Sequence, residues 1–163
     1  MTGTGVRALV LALAGLAAND ARAEPPAYRD DRSTPEAVVG SLYNAIERQE
    51  YLRAWSYFRE EAARPFETFA AGYADTRHVR LKLGTATGEG AAGSTYYRLP
   101  AVVEAETALG TRVYAGCYEL RLVQPAAQGQ PPFQPMGISG ARLAAVDESF
   151  DAATGRCDTG ATP

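Results

Sequence analysis

The spacing of apolar residues changes once along the chain, and this change limits the fold more than any other feature. Before residue 75, apolar side chains recur every three or four residues, as they do in amphipathic helices. Beyond it, Val79, Leu81 and Leu83 alternate with Arg80 and Lys82, which is typical of a half-buried strand. Helices followed by strands predict an α+β domain, with the helices packed on one face of an antiparallel sheet.

Three helices are predicted in the first half of the chain. The first has Ser33 or Thr34 as its cap and Pro35 at its first helical position. A break near residues 49–51 separates it from a short second helix, and a third helix begins at Pro65. The helical spacing of apolar residues ends near residue 75, where the first strand is expected.

About four strands are predicted in the second half. After the strand that carries Val79, two long alternating segments span residues 94–106 and 111–124, and a last strand lies near 138–146. Glycine-rich residues 88–93 are interpreted as a turn between strands. In the two long strands, one face carries tyrosine and aliphatic residues, and this is the face predicted to be the core: Tyr97, Leu99, Ala101, Val103, Tyr114, Tyr118, Leu120 and Leu122.

Residues 1–23 have the composition of a secretory signal peptide. Arg7 precedes eleven consecutive apolar or small residues, and a small-x-small pattern ends at Ala23, the expected cleavage site. The apolar run is too short for a transmembrane helix, which needs about 20 apolar residues. The sequence therefore predicts a periplasmic or secreted protein with no membrane span after cleavage.

The rest of the chain divides into a flexible leader (residues 24–33), one domain (34–150) and a polar C-terminal tail (151–163). The whole chain carries a net charge of −3, and removing residues 1–23, which hold two arginines and one aspartate, changes it to −4. Because the basic residues are scattered in an acidic chain, nucleic acid is not an expected partner.

Cys117 and Cys157 are the chain's two cysteines, and export favours a disulfide between them. Cys117 lies on the strand face opposite Tyr118, so a tail that folds back over the outer face of the sheet would bring Cys157 to it. No metal site is predicted, because the chain has a single histidine and no calcium-type acidic loop. No cofactor is predicted either.

The order of elements and three loose motifs resemble the nuclear transport factor 2-like superfamily, which includes SnoaL-like proteins. The motifs are the AIERQEYLRAW helix pair, the FETFAAGYAD segment before the first strand, and the strand with Gly116, Tyr118 and Leu120. The resemblance covers about residues 34–147. It implies a cone-shaped roll: a bent sheet wrapped around the helices, with a pocket between them and with functions that range from isomerases to binding proteins.

Aromatic residues dominate the predicted inner surface, either as plain core or as the wall of a cavity for an apolar ligand. The leading hypothesis is an exported, non-catalytic module that binds a small apolar or aromatic ligand, or a partner protein, through the cone or the sheet. The predicted pocket residues are Trp55, Phe58, Phe69, Tyr73, Tyr97 and Tyr118.

Two alternatives remain open at this point. A SnoaL-like lyase or isomerase would use Asp75 and His78 as base and orienting residue and Tyr73 as hydrogen-bond donor. Strand alternation, however, points His78 away from the core face. The other alternative is a structural or assembly subunit that forms a homodimer through the open face of the sheet.

Overall fold

The computed structural model describes residues 24–157; the predicted signal peptide, its cleavage site and residues 158–163 lie outside the described residues. Within this range the chain forms three α-helices, then five strands, with one 3-10 turn at Pro125–Ala127. The elements are α1 (Pro35–Glu47), α2 (Tyr51–Trp55), α3 (Phe66–Tyr73), β1 (Thr76–Leu83), β2 (Thr87–Ala91), β3 (Ser94–Thr107), β4 (Gly110–Val123) and β5 (Gly137–Val146).

Helix α1 begins as its sequence predicts. The Thr34 side chain accepts a hydrogen bond from the Ala37 amide at 3.1 Å, and Pro35 takes the first helical position. The helix ends at Glu47, and Gln49 then turns the chain with a φ of 58°. The aliphatic face of α1 is fully buried against the sheet and supplies the centre of the core.

The five strands form one antiparallel sheet in the order β1-β3-β4-β5, with β2 also paired to β3. The longest pairing joins β3 and β4 without interruption from Ser94↔Val123 to Thr107↔Gly110. Three helices packed on one face of an open antiparallel sheet confirm the predicted α+β class, and the arrangement is consistent with a cone-like roll.

One strand, β2, was not predicted from the sequence. The glycine-rich segment predicted as a turn contains β2, which pairs with the first residues of β3. The turn itself is only Ala92 and Gly93, both with positive φ, as expected of a tight hairpin. Strand β2 escapes a pattern-based prediction because it is exposed on both faces and its glycines carry no side chain to alternate.

The leader (residues 24–33) lies along α1. The Arg29 amide donates to Asn44 Oδ1 at 3.0 Å, and the Asp31 amide donates to Ser41 Oγ at 2.9 Å. The hydroxyl of Ser41, which is completely buried, donates in turn to the Asp31 carbonyl at 3.2 Å, so the main chain of Asp31 satisfies a group that would otherwise be costly to bury.

The described part of the C-terminal tail crosses the outer face of the sheet. Lys82 Nζ donates to the carbonyl oxygens of Phe150, Asp151 and Ala153 at 2.7, 3.1 and 2.8 Å. The predicted disulfide is confirmed: Cys157 is bonded to Cys117 on β4. The outer face is therefore covered here by the chain's own end. Among residues 24–157, no helix has the length and apolar character needed to cross a membrane.

Gly116 allows β5 to approach β4 closely at the middle of the sheet. A Cβ atom added there would overlap the main-chain carbonyl of Arg142 on β5. Since backbone atoms cannot move aside as a flexible side chain can, this position requires glycine for steric reasons.

We expect Gly116→Ala to lower the free energy of unfolding by about 3 kcal/mol, because the strands must separate to admit the methyl group. Gly90→Ala is the matched control: Gly90 also lies in a strand, but an added Cβ meets nothing within 4 Å. That change should alter stability by less than about 1 kcal/mol. Urea denaturation measures both variants, and equal stabilities would contradict the steric argument.

Candidate functional site

A cavity of about 570 Å³ lies between the helices and the inner face of the sheet. Helix α1 and strands β1, β3, β4 and β5 contribute to its wall, together with α3 and the segment that precedes it. Its volume falls in the range of small-molecule sites, roughly 300–1,000 Å³.

Three aromatic rings form a continuous wall on the helical side. The centroids of Phe58 and Phe69 lie 5.6 Å apart, and those of Phe69 and Tyr73 lie 5.0 Å apart, in tilted or edge-on arrangements. Val79 and Val103 contribute aliphatic surface from the sheet. An apolar, flat molecule would therefore find ring faces on one side and branched aliphatic groups on the other.

Tyr43 from α1 and Tyr118 from β4 meet in the buried part of the cavity wall. Their hydroxyl oxygens are 2.6 Å apart, and their rings pack edge to face with centroids 6.5 Å apart. Each hydroxyl has one proton to donate, and their mutual hydrogen bond uses only one of the two. Neither hydroxyl has another hydrogen-bond partner within residues 24–157, so one O–H donor remains available.

Burial raises the pKa of both hydroxyls. The pKa of Tyr118 and that of Tyr43 lie well above the usual tyrosine value, mainly because the phenolate would lose its hydration. Burial likewise raises the pKa of Tyr73, although the nearby Arg64 guanidinium opposes that shift. At neutral pH the three tyrosines are uncharged hydrogen-bonding groups.

Charged groups are scarce in the cavity wall. Arg64, an exposed residue just before α3, is the one charged side chain among its described lining residues. The smaller polar groups are Thr68, Thr76, Thr107 and Ser139. The cavity therefore combines an apolar wall, neutral phenols and one cation, which suits an apolar ligand with an oxygen acceptor.

The structure brings four of the six predicted pocket residues together: Phe58, Phe69, Tyr73 and Tyr118 all line the cavity. Trp55 does not, because it ends a five-residue helix and donates its indole N–H to the Arg64 carbonyl at 2.7 Å.

Tyr97 is also outside the cavity. It lies on the inner face of β3, as predicted, but near the end that pairs with β2. There its ring covers Gly88, so close that a Cβ on that glycine would lie 2.9 Å from the ring. Face alternation alone does not tell which end of a long strand reaches a pocket.

Asp75 and His78 do not line the cavity and do not pair with each other. His78 is 59% exposed, and its Nδ1 lies 2.6 Å from Glu47 Oε1 at the end of α1. The same oxygen accepts the Val79 amide at 3.0 Å. These two contacts join α1 to β1, so His78 and Glu47 stabilise the junction between helix and sheet.

Sequence reasoning missed Tyr43, Arg64 and Tyr114 as lining residues. Tyr43 could have been found, since it lies one helical turn after Val39 and shares its buried face. Arg64 and Tyr114 gave no such indication, because an exposed arginine between helices and a tyrosine far along a strand match many environments. No group of three or more His, Cys, Asp or Glu gathers as a metal site within residues 24–157.

The architecture is similar to that of solved structures. A protein named as a putative scytalone dehydratase from Novosphingobium aromaticivorans aligns with a TM-score of 0.51 and 8% identity, over 78% of this chain and 92% of that one. A protein of unknown function from Mycobacterium tuberculosis aligns with a TM-score of 0.49 and 21% identity, over 71% and 72%. No family model and no curated protein matches the chain. At 8% identity, the likeness to the protein from Novosphingobium aromaticivorans shows a shared fold and no more.

The buried tyrosines predict how stability depends on alkaline pH. A raised folded-state pKa leaves stability intact below the unfolded value of about 10, and stability is lost as pH rises above it. We expect the free energy of unfolding to fall steeply above about pH 10, and less steeply in Tyr43→Phe. Denaturation at stepwise increasing pH measures this. The exposed Tyr96→Phe is the control, and an unchanged slope in Tyr43→Phe would contradict the prediction.

Proposed function

We propose that this protein binds a small, flat, largely apolar molecule in the cavity, without acting on it chemically. The observation that carries the proposal is the Tyr43–Tyr118 pair, which lies in the cavity wall and has one O–H donor without an acceptor among residues 24–157. A buried donor without a protein acceptor is costly, so a ligand oxygen placed there gains more than a solvent-exposed hydrogen bond would give.

The lining chemistry defines the ligand class. The free phenolic proton requires an acceptor such as a carbonyl or carboxylate oxygen, and Arg64 favours negative over positive charge. The ring wall of Phe58, Phe69 and Tyr73 favours an aromatic body. We therefore propose an aromatic carbonyl compound or an aromatic carboxylic acid.

Catalysis is the alternative function, because one protein of similar structure is named as a dehydratase. Proton abstraction needs a base near the substrate. The described cavity wall offers no carboxylate or imidazole, and burial raises the pKa of Tyr43 and of Tyr118, so both keep their protons at neutral pH. Of the proposed triad Asp75, His78 and Tyr73, only Tyr73 reaches the cavity, which supports binding over the lyase or isomerase.

Three further proposals concern the chain as a whole. We propose membership of the nuclear transport factor 2-like superfamily, supported by the roll architecture and by its similarity to the dehydratase-named protein. We propose export with cleavage after Ala23, supported by the sequence and by the Cys117–Cys157 disulfide. The domain boundaries at residues 34 and 150 likewise remain proposals.

Assembly into a homodimer through the sheet is a separate hypothesis. Size-exclusion chromatography at two protein concentrations tests it.

The binding proposal is tested with 2-naphthoate, a flat aromatic acid, by isothermal titration calorimetry. Gly72 lies on α3 in the cavity wall, and a Cβ added there meets nothing within 4 Å. We expect Gly72→Phe to fill the cavity and abolish binding without unfolding the protein. Gly90→Phe, outside the cavity and equally unobstructed, should bind as the wild type does.

Either tyrosine alone would still have its own proton to donate, so the double variant Tyr43→Phe/Tyr118→Phe tests the donor separately from the volume. It should weaken 2-naphthoate binding by about 1 kcal/mol, the usual contribution of one hydrogen bond. Binding that survives Gly72→Phe, or no binding of 2-naphthoate to the wild type, would refute the proposal. Turnover of an aromatic hydroxy-carbonyl compound by the wild type would favour the lyase instead.

A further inference from the structure

A second concave site lies on the opposite, outer face of the sheet. This groove, of about 310 Å³, is lined by side chains from β3, β4, β5 and the C-terminal tail. Its polar members, which we call the arginine groove, are Arg98, Glu119, Arg142 and Arg156, beside the Cys117–Cys157 disulfide.

Strand pairing explains why these charges meet. Arg98 on β3 is directly paired with Glu119 on β4, and Arg142 on β5 is paired with Cys117, two residues from Glu119 on the same face. Neighbouring strands are about 4.8 Å apart, so these side chains project side by side. Arg156 comes from the tail, and its neighbour Cys157 is bonded to Cys117.

The groove has an excess of positive charge in a chain whose net charge is −3. Glu119 is engaged by Arg142, whose Nη2 lies 2.9 Å from Glu119 Oε1. Arg98 and Arg156 have no side-chain hydrogen bond or ion pair to any residue in the described range 24–157. Two guanidinium groups with unused donors therefore flank one neutralised pair.

We propose that the arginine groove binds a small dianion of the phosphate type, such as a phosphate monoester. The free guanidinium groups of Arg98 and Arg156 match its two charges, and their planar donor pairs match its oxygen geometry. The groove volume suits one phosphate group with a short substituent. The arginine groove is separate from the aromatic cavity, so a test of one proposal does not decide the other.

The disulfide is part of this site because it holds Arg156 beside the sheet. Cys117 and Cys157 have Cα atoms 4.9 Å apart, which places the residue before Cys157 over β4 and β5. Lys82 fixes the tail upstream, at Phe150, Asp151 and Ala153, but within residues 24–157 no such contact holds Arg156 itself. The dianion should therefore bind more tightly to the oxidised chain.

Titration with methyl phosphate at low ionic strength, followed by NMR, tests the site. Arg98→Gln and Arg156→Gln should each weaken binding by about tenfold, as expected when a charge-assisted hydrogen bond is lost. Arg112→Gln is the matched control, because Arg112 is an exposed arginine on β4 outside the groove. Its affinity should stay within about twofold of the wild type, since distant exposed charges are screened.

Equal weakening by all three variants would show attraction to surface charge in general, and would overturn the proposal. The absence of saturable binding of methyl phosphate would also overturn the proposal. Dithiothreitol, an uncharged reductant, should weaken binding to the wild type but leave the already weakened Arg156→Gln protein unchanged. Full affinity in the reduced, folded protein would refute the role of the disulfide, and the arginine variants test the site in the oxidised protein independently.

Discussion

The uninterrupted pairing of β3 with β4 supports every other part of this protein. Fourteen residues of each strand stay in register, from Ser94↔Val123 to Thr107↔Gly110. Strands β1 and β2 share one side of β3, and β5 adds to the free side of β4. A ladder this long must bend to enclose anything, and Gly116 admits the close approach of β5 near its middle. The cavity lies on the inner side of this bent hairpin.

Alternation along β4 gives the two faces of the sheet different chemistry. Tyr118 points inward to the aromatic cavity, while its neighbours Cys117 and Glu119 point outward to the arginine groove. Two concavities of different character are thus lined by consecutive residues of one strand. The cost is that a register slip of one residue would exchange the two sets of side chains and destroy both sites.

The spacing of residues along the sequence predicted those features of the fold that local interactions determine. The cap at Thr34, the change of period near residue 75 and the inward faces of the long strands all follow from spacing and short-range hydrogen bonds. The disulfide was predicted from face alternation together with the expected export of the chain. The extent of the cavity could not be predicted in this way. Tyr97 and Tyr118 both lie on the inner face of the sheet, but only Tyr118 lines the cavity. Tyr43 meets its partner 75 residues away, a contact that no local pattern encodes.

The segment between α2 and α3 is attached to β5 by its main chain. The Arg59 amide donates to the Ile138 carbonyl, and the Ile138 amide donates to the Tyr57 carbonyl, each at 2.8 Å. Phe58 lies between these bonds and projects its ring into the cavity. Because backbone atoms hold this segment, the side chain at position 58 is free to vary in size. A substitution at position 58 would therefore change the shape of the cavity and leave the main-chain attachment to β5 in place.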